Sequence, residues 1–287
     1  MKKSMKTVSM IVLLVGSLLV GCGNQTTTGA APAENKEGAS ATVAAESGQF
    51  KLLETGKLTF AMSGMYKPFN YKDGGELKGF DVEIGKALSK KMGLEPNPVA
   101  TPWETILQGL KANKFDTIIG SMAYTEERAK QVNFTKPYYL SGGQIFVSSD
   151  NDSIKTADDL KGKKIGVVAQ STYYEAAQKY TKDVKNYTSD VTALKDLTVP
   201  GRLDAVITAP VVGYEAIKAG LAVKEAGDPL WIEQACIAVP KENEALLNAL
   251  NKAIDEMIAD GTYEEISNSM FGTNLLKLKT EGIPVYK

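Results

Sequence analysis

From Lys57 onward the sequence alternates short apolar runs with segments of helical period, and that alternation restricts the fold more than any other feature. Residues 57–62 read as a strand, and 63–69 as the loop that leaves it. Phe80, Ile84, Leu88 and Met92 recur every fourth residue and stop at Gly93, the pattern of an amphipathic helix with one buried face. Thr101 to Glu104 reads as a capping box with Pro102 at the first helical position, followed by Ile106, Leu107 and Leu110 on one face. Strand, helix, strand, helix of this kind builds an α/β domain around a largely parallel sheet.

The pattern then repeats with different residues. Strands are expected at 144–148, 164–168 and 204–208. Thr172 with Glu175 reads as a second capping box opening a helix to about Tyr180, and Val191, Leu194 and Leu197 mark another that Pro200 ends. A strand near Cys236 leads into a long helix at 244–260 with Leu246, Leu250, Ile254 and Met257 inward, and Thr262 and Glu265 open a last short one. At 287 residues the chain has room for two domains.

The stretch 120–139 follows the apolar run of Thr117, Ile118 and Ile119 and carries one arginine, Arg128, three residues after a capping Thr125. Its guanidinium can offer two parallel N–H donors to a carboxylate. The same four residues, Thr-Glu-Glu-Arg, also make an ordinary capped surface turn, and local chemistry alone leaves both readings open.

Several function classes fall away on composition. Net charge is −1 with basic residues spread throughout, so no footprint for nucleic acid exists. There is no histidine, which removes Ser/His and Cys/His catalysis and the commonest metal ligand. Neither a metal nor a cofactor is expected. Cys236 lies in an apolar run and reads as a buried, inert thiol.

The N-terminus reads as a targeting segment. Lys2, Lys3 and Lys6 precede an apolar stretch, residues 8–20, that is short for a membrane span. It runs into Leu19, Val20, Gly21 and Cys22, which resembles the lipobox of bacterial lipoproteins; a plain secretory peptide is the other reading. The resemblance implies removal of residues 1–21, acylation of Cys22 and an anchor on the outer face of the cell membrane. Residues 23–49, rich in Thr, Ala, Gly, Ser and Glu, fit a flexible tether. No apolar run after Val20 is long enough to cross a bilayer, so the body is expected to be soluble.

Several motifs then stand in one order. They are Tyr66-Lys67-Pro68-Phe69 with Gly79-Phe80-Asp81-Val82-Glu83, Trp103, Phe115-Asp116, Thr125-Glu126-Glu127-Arg128 and Phe134-Thr135-Lys136-Pro137-Tyr138-Tyr139. Asp159-Leu160-Lys161-Gly162-Lys163, Gly201-Arg202-Leu203-Asp204-Ala205 and Asp260-Gly261-Thr262 complete the series. In this order and spacing they resemble the type 3 family of bacterial solute-binding proteins, the polar amino-acid receptors of ABC importers. The resemblance implies a two-lobe, periplasmic-binding-protein-like type II α/β fold, each lobe a mixed, mostly parallel sheet flanked by helices. Two crossing strands would join lobe one, at about 50–141 plus 236–287, to lobe two, at 142–235. It implies a monomer that closes on an amino acid or related small carboxylate and hands it to a permease.

The resemblance also assigns residues. Arg128 matches the arginine that pairs with the ligand carboxylate. Thr172, with Gln170 and Ser171 before it, matches the place in lobe two where a backbone N–H takes the other carboxylate oxygen. Tyr66 and Trp103 match positions flanking the ligand side chain, and Gly120 and Ser121 match the pocket floor. Ser63 stands where receptors for cationic amino acids often carry an acid. Asp81 and Glu83 are assigned to lobe structure or the hinge.

Two positions depart from the pattern. Where relatives hold the ligand ammonium with an aspartate and a hydroxyl, this chain has Ala209, with Thr208 beside it, and Ala123. Three explanations stay open: another acid such as Glu233 neutralises the amine, backbone carbonyls and water do, or the ligand has no free α-amino group. Alanine at 123 is similar to cystine-type relatives. A binding protein is the leading expectation, ahead of a cyclohexadienyl-dehydratase-like enzyme, for which only Glu233 stands out as an acid in the site loops, and ahead of a ligand sensor, since no signalling module follows Lys287.

Overall fold

The computed structural model describes residues 50–286. The signal, Cys22 and the whole of the tether expected from the sequence lie outside the described residues. The chain begins as the sequence predicts, with β1 (Lys57–Met62), whose last five residues are buried. A small antiparallel sheet follows, made of β2 (Met65–Tyr66), β3 (Asn70–Asp73) and β4 (Glu76–Lys78). Gly74 and Gly75 turn between β3 and β4 with φ of 61° and 90°, which suits a two-residue hairpin. Helix α1 (Phe80–Lys91) buries Phe80, Ile84 and Leu88 of the stripe read from the sequence, whereas Met92, its fourth member, is the half-buried C-cap.

Next come β5 (Glu95–Ala100), α2 (Trp103–Lys111), β6 (Thr117–Ile118), the single turn α3 (Glu126–Ala129) and β7 (Asn133–Ser148). The second half contributes β8 (Ile165–Val168), α4 (Thr172–Tyr180), β9 (Val184–Tyr187), α5 (Asp190–Leu197), β10 (Ala205–Thr208) and α6 (Pro210–Lys218). The chain then returns through β11 (Val223–Val239) to α7 (Glu244–Ala259) and α8 (Thr262–Phe271). No described helix is long and apolar enough to cross a membrane.

Both capping boxes are corrected. The N-cap of α2 is Pro102, without a side-chain cap, because Thr101 lies outside the helix and its amide is drawn to the Met62 carbonyl. The N-cap of α4 is Ser171, whose hydroxyl accepts from Tyr174 N at 3.2 Å; Thr172 is the first helical residue instead.

The strands form one hydrogen-bonded series, β5-β1-β6-β11-β7-β10-β8-β9. β1 pairs in parallel with β5 and β6, and β8 pairs in parallel with β9 and β10. Between these two groups lie β7 and β11, paired antiparallel with each other. This is a two-lobed α/β architecture in which β7 and β11 belong to both halves. The sequence reading caught only 144–148 of β7 and the Cys236 end of β11. Pro137, the glycine pair 142–143 and the sequence Gly227-Asp228-Pro229 mask the rest, since each reads locally as a strand breaker. The ladder accommodates them with register shifts between Ala226 and Trp231 and around Cys236, which faces Pro137.

Gly142 and Gly143 sit opposite Ile232 and Trp231. A Cβ on Gly143 would come within 2.3 Å of the Trp231 ring, and one on Gly142 within 2.0 Å of the Trp231 carbonyl. The missing side chains let the indole lie against β7 at the crossover.

The C-terminal segment, for which the sequence offers no motif, docks on this crossover. Ile232 N donates to Pro284 O at 2.8 Å and Tyr286 N to Ile232 O at 2.7 Å, so the tail adds a short parallel bridge to β11. The Tyr286 ring packs 5.4 Å from Trp231, and its hydroxyl donates to Glu175 on α4 at 2.5 Å. Gly143→Ala is expected to lower stability by about 1–3 kcal/mol by overpacking the indole, read from the denaturant midpoint of the purified protein.

Candidate functional site

The loops leaving the carboxyl ends of β1, β6 and β8 meet α4, α5 and β11 around one cleft, where ligands of open α/β sheets bind. Arg128 is positioned by local chemistry: Thr125 Oγ1 accepts from Arg128 N at 3.1 Å and caps α3, as the sequence predicts. The guanidinium is buried, with Nη1 donating to Ala123 O at 2.9 Å and Nη2 to Gln170 O at 3.1 Å. Its carbon lies 5.6 Å from the Trp103 ring centroid, a cation–π geometry. Burial lowers the Arg128 pKa, opposed by the charges of Glu233 and Glu175. A guanidinium starts so high that it stays charged.

The floor is built around Asp81, which is fully buried. Its carboxylate accepts from Asn70 Nδ2 at 2.6 Å, Tyr138 OH at 2.7 Å and Ser121 Oγ at 2.8 Å. Tyr138 OH in turn accepts from Ser121 N at 2.8 Å. This network holds Ser121 at φ 58° beside the cleft, a left-handed conformation that costs about 1–3 kcal/mol when nothing fixes it. Burial raises the Asp81 pKa to about 6 against these three donors. Asp81 therefore ties β3, the Ser121 loop and β7 together beneath the cleft.

Several contacts cross the cleft. Tyr66 OH and Tyr173 OH lie 3.1 Å apart, Ser189 Oγ donates to Met65 O at 3.2 Å, and Arg128 reaches Gln170. The lobes are thus closed on one another. The space left between them measures about 50 Å³.

The structure brings most of the expected residues to this space. Arg128, Tyr66, Trp103 and Thr172 line it, and so do Gly120, Ser121, Ala123 and Ser171. Gln170 and Thr208 do not. Gln170 presents its carbonyl to Arg128 from φ 57° while the residue itself is exposed, and Thr208 is wholly buried behind the wall.

Two carboxyl groups also line the cleft. Glu233, on β11, accepts from Thr172 Oγ1 at 2.7 Å, Tyr173 OH at 3.1 Å and Trp231 Nε1 at 3.3 Å. Asp190, the first residue of α5, accepts from Thr208 Oγ1 at 2.6 Å. Sequence reasoning missed Asp190 and took Glu233 to be the one acid among the site loops. The signal was an acid directly before the helical stripe of Val191, Leu194 and Leu197, in the turn where acids are common for helix reasons alone. Tyr173 was missed because Thr172 was read as the cap.

The fold and cleft define a two-lobed binding protein that encloses a small solute. Residues 58–273 match the model of the bacterial extracellular solute-binding proteins, family 3, and the chain belongs to that family. It is 37% identical over 234 residues to the L-cystine-binding protein TcyJ of Escherichia coli (strain K12), covering 79% of this chain and 87% of that protein. Among solved structures it is similar to an ancestral arginine-binding protein bound to glutamine, with a TM-score of 0.71 and 38% identity over 77% of this chain and all of that one. It is also similar to the ancestral amino acid-binding protein AncCDT-1, a precursor of cyclohexadienyl dehydratase, with a TM-score of 0.70 and 34% identity over 75% of this chain and 96% of that one. These relatives are binding proteins rather than enzymes.

Burial raises the Asp190 pKa from 3.8 to about 6; the Thr208 bond and its own backbone N–H oppose the rise, and the charge of Glu233 adds to it. Between these pH values the folded state keeps a proton that the unfolded chain has released. The contribution to stability is therefore greatest below the unfolded value and is lost as pH rises through about 6. Relative to Asp190→Asn, the ligand-free wild type is expected to lose on the order of 3 kcal/mol between pH about 4 and about 7, measured by denaturant unfolding across that range.

Proposed function

We propose that this chain is a lipid-anchored extracytoplasmic receptor that binds an amino acid or a related small carboxylate between closing lobes and delivers it to an ABC importer. The observation that carries this reading is the buried Arg128 guanidinium in the cleft. Two of its donors go to backbone carbonyls and none to a carboxylate within the ion pairs of the described residues. A charge removed from water in this way calls for an anion. Thr172 supports the same end of the ligand: it opens α4, where first-turn amides have no intrahelical partner and the helix dipole favours negative charge.

In this reading lobe one comprises 50–141 and 236–287, lobe two comprises 142–235, and β7 and β11 are the hinge. A carboxylate held by Arg128 on one side and by the α4 amides on the other stabilises the closed state over the open one, so occupancy becomes a shape that a permease can read. Tyr66 and Trp103 flank the ligand side chain, and Ser121 and Gly120 form the floor. The protein acts as a monomer held to the membrane by acyl chains on Cys22, with residues 23–49 as the tether.

The test is a thermal-shift screen of amino acids, cystine, N-substituted amino acids and simple carboxylic acids against the full chain. At least one amino acid should raise the midpoint, and Arg128→Ala should weaken that ligand by at least about 30-fold. Equal binding by the variant would remove the carboxylate assignment. For the anchor, Cys22→Ser should abolish incorporation of labelled palmitate and move the protein out of the membrane fraction.

A further inference from the structure

Besides β7 and β11, a third segment joins the two halves. Residues 274–286, which lie outside the 58–273 matched by the family model, start on the half that carries β1 and end on the half that carries β8. Their root is firm. The segment leaves α8, which packs on α1 and α7. Ser267 Oγ on α8 donates to Thr273 O at 2.7 Å and accepts from Leu275 N at 3.0 Å, and Leu275 is buried where the segment packs on β7.

Their far end is lighter. Val285 bridges to Ile232 of β11 with its side chain exposed, so strand alternation turns Tyr286 inward, toward Trp231 and α4. One face of α4 receives that ring. Glu175 accepts from its hydroxyl at 2.5 Å, and Lys179, one turn further on, places Nζ 5.7 Å from the ring centroid. Burial raises the Tyr286 pKa, so the hydroxyl stays protonated and remains the donor. Glu175 and Lys179 are exposed and Tyr286 is half-buried, so this end can detach without opening a core.

Between root and end the connector is not slack. It turns at Leu275–Lys277 and again where Ile283 N donates to Thr280 O at 3.2 Å, with Gly282 at φ 79°. Leu276 and Leu278 pack on the core. A connector folded down in this way has a set reach. Rotation of α4 away from α8 about the β7/β11 pair must either strip these turns or free Tyr286. Both losses fall on the open arrangement alone, which is the condition for shifting an equilibrium toward the closed one.

We propose that residues 274–286 are an inter-lobe clasp that biases the empty protein toward closure, with Tyr286 as its releasable end and Glu175 and Lys179 on α4 as its catch. This goes beyond the receptor reading above but rests on its closing lobes. The clasp holds the helix that begins with Thr172 on the cleft wall, and so sets where that wall rests before anything enters. A cleft that is already partly closed removes part of the cost of reaching the binding-competent state, so the segment tunes affinity without touching the ligand.

The experiment measures lobe separation by electron–electron distance spectroscopy in the full chain carrying Cys22→Ser, with nitroxides at Lys111→Cys on α2 and Lys195→Cys on α5. Cys236 is buried, its thiol pKa pushed up to about 12, and stays unlabelled. Without ligand, Tyr286→Phe and Glu175→Gln should each lower the ratio of short to long distances by at least about threefold, and a chain ending at Gly282 by at least about tenfold. The double variant should match either single one, because both remove the same bond. Unchanged ratios in all of these overturn the proposal. So does a lower denaturant midpoint with unchanged distances, the mark of a segment that serves stability alone. Adding the twenty standard L-amino acids with L-cystine separates the two readings. If this panel shortens the distance in the wild type while the chain ending at Gly282 keeps the wild-type ratio without it, the receptor reading stands and the clasp fails. If ending the chain at Gly282 lengthens the distance and the panel shortens it in neither protein, the clasp stands and the receptor reading fails.

Discussion

The structure depends on the pairing of β7 with β11. Each strand is too long to serve one lobe: β7 runs 16 residues and β11 runs 17, and their ladder carries the parallel strands of one half on one flank and those of the other half on the opposite flank. Everything that forms the cleft hangs from this pair. Glu233 lies on β11 itself, the 120–128 loop bridges to it through Ala123 opposite Ala235, and β10 places Thr208 beside Gln144 of β7. The glycine pair 142–143 falls where the strands pass between halves, next to a register shift at which the ladder is interrupted over residues 227–230 and resumes at Trp231. The C-terminal tail adds to the same place by bridging Ile232 and reaching α4 through Tyr286.

The cleft is held by buried polar groups that satisfy one another on each side and leave charge facing the middle. On one side Asp81 gathers Asn70, Tyr138 and Ser121 and so shapes the floor. On the other, Glu233 and Asp190 are oriented by hydroxyls and an indole and take part in no contact ion pair among the described residues. Arg128 stands between, oriented by two carbonyls from opposite sides.

Much of the fold was legible in the chain because helices announce themselves locally. The stripe of Phe80, Ile84 and Leu88 and that of Leu246, Leu250, Ile254 and Met257 are buried as the period requires. The caps were less legible. Thr101 and Thr172 satisfy the sequence pattern for an N-cap, yet one amide is taken by the neighbouring strand and the other residue is displaced by Ser171 one position earlier. The long strands were hidden because Pro137, Gly142, Gly143 and Pro229 are breakers in isolation, and only a partner strand with matching shifts makes them tolerable.

The sequence by itself determined the two α/β halves, the capped turn that carries Arg128 and the family to which the chain belongs. Each is written in periodicity, capping or ordered motifs, which depend on near neighbours. Only the tertiary structure decided that Asp190 shares a cavity with Glu233 and Arg128, that Gln170 contributes a carbonyl while Thr208 braces Asp190 from behind, and that the tail closes over Trp231. Those relations join residues tens of positions apart, and no local pattern encodes them because they exist once β7 and β11 have brought the two halves together.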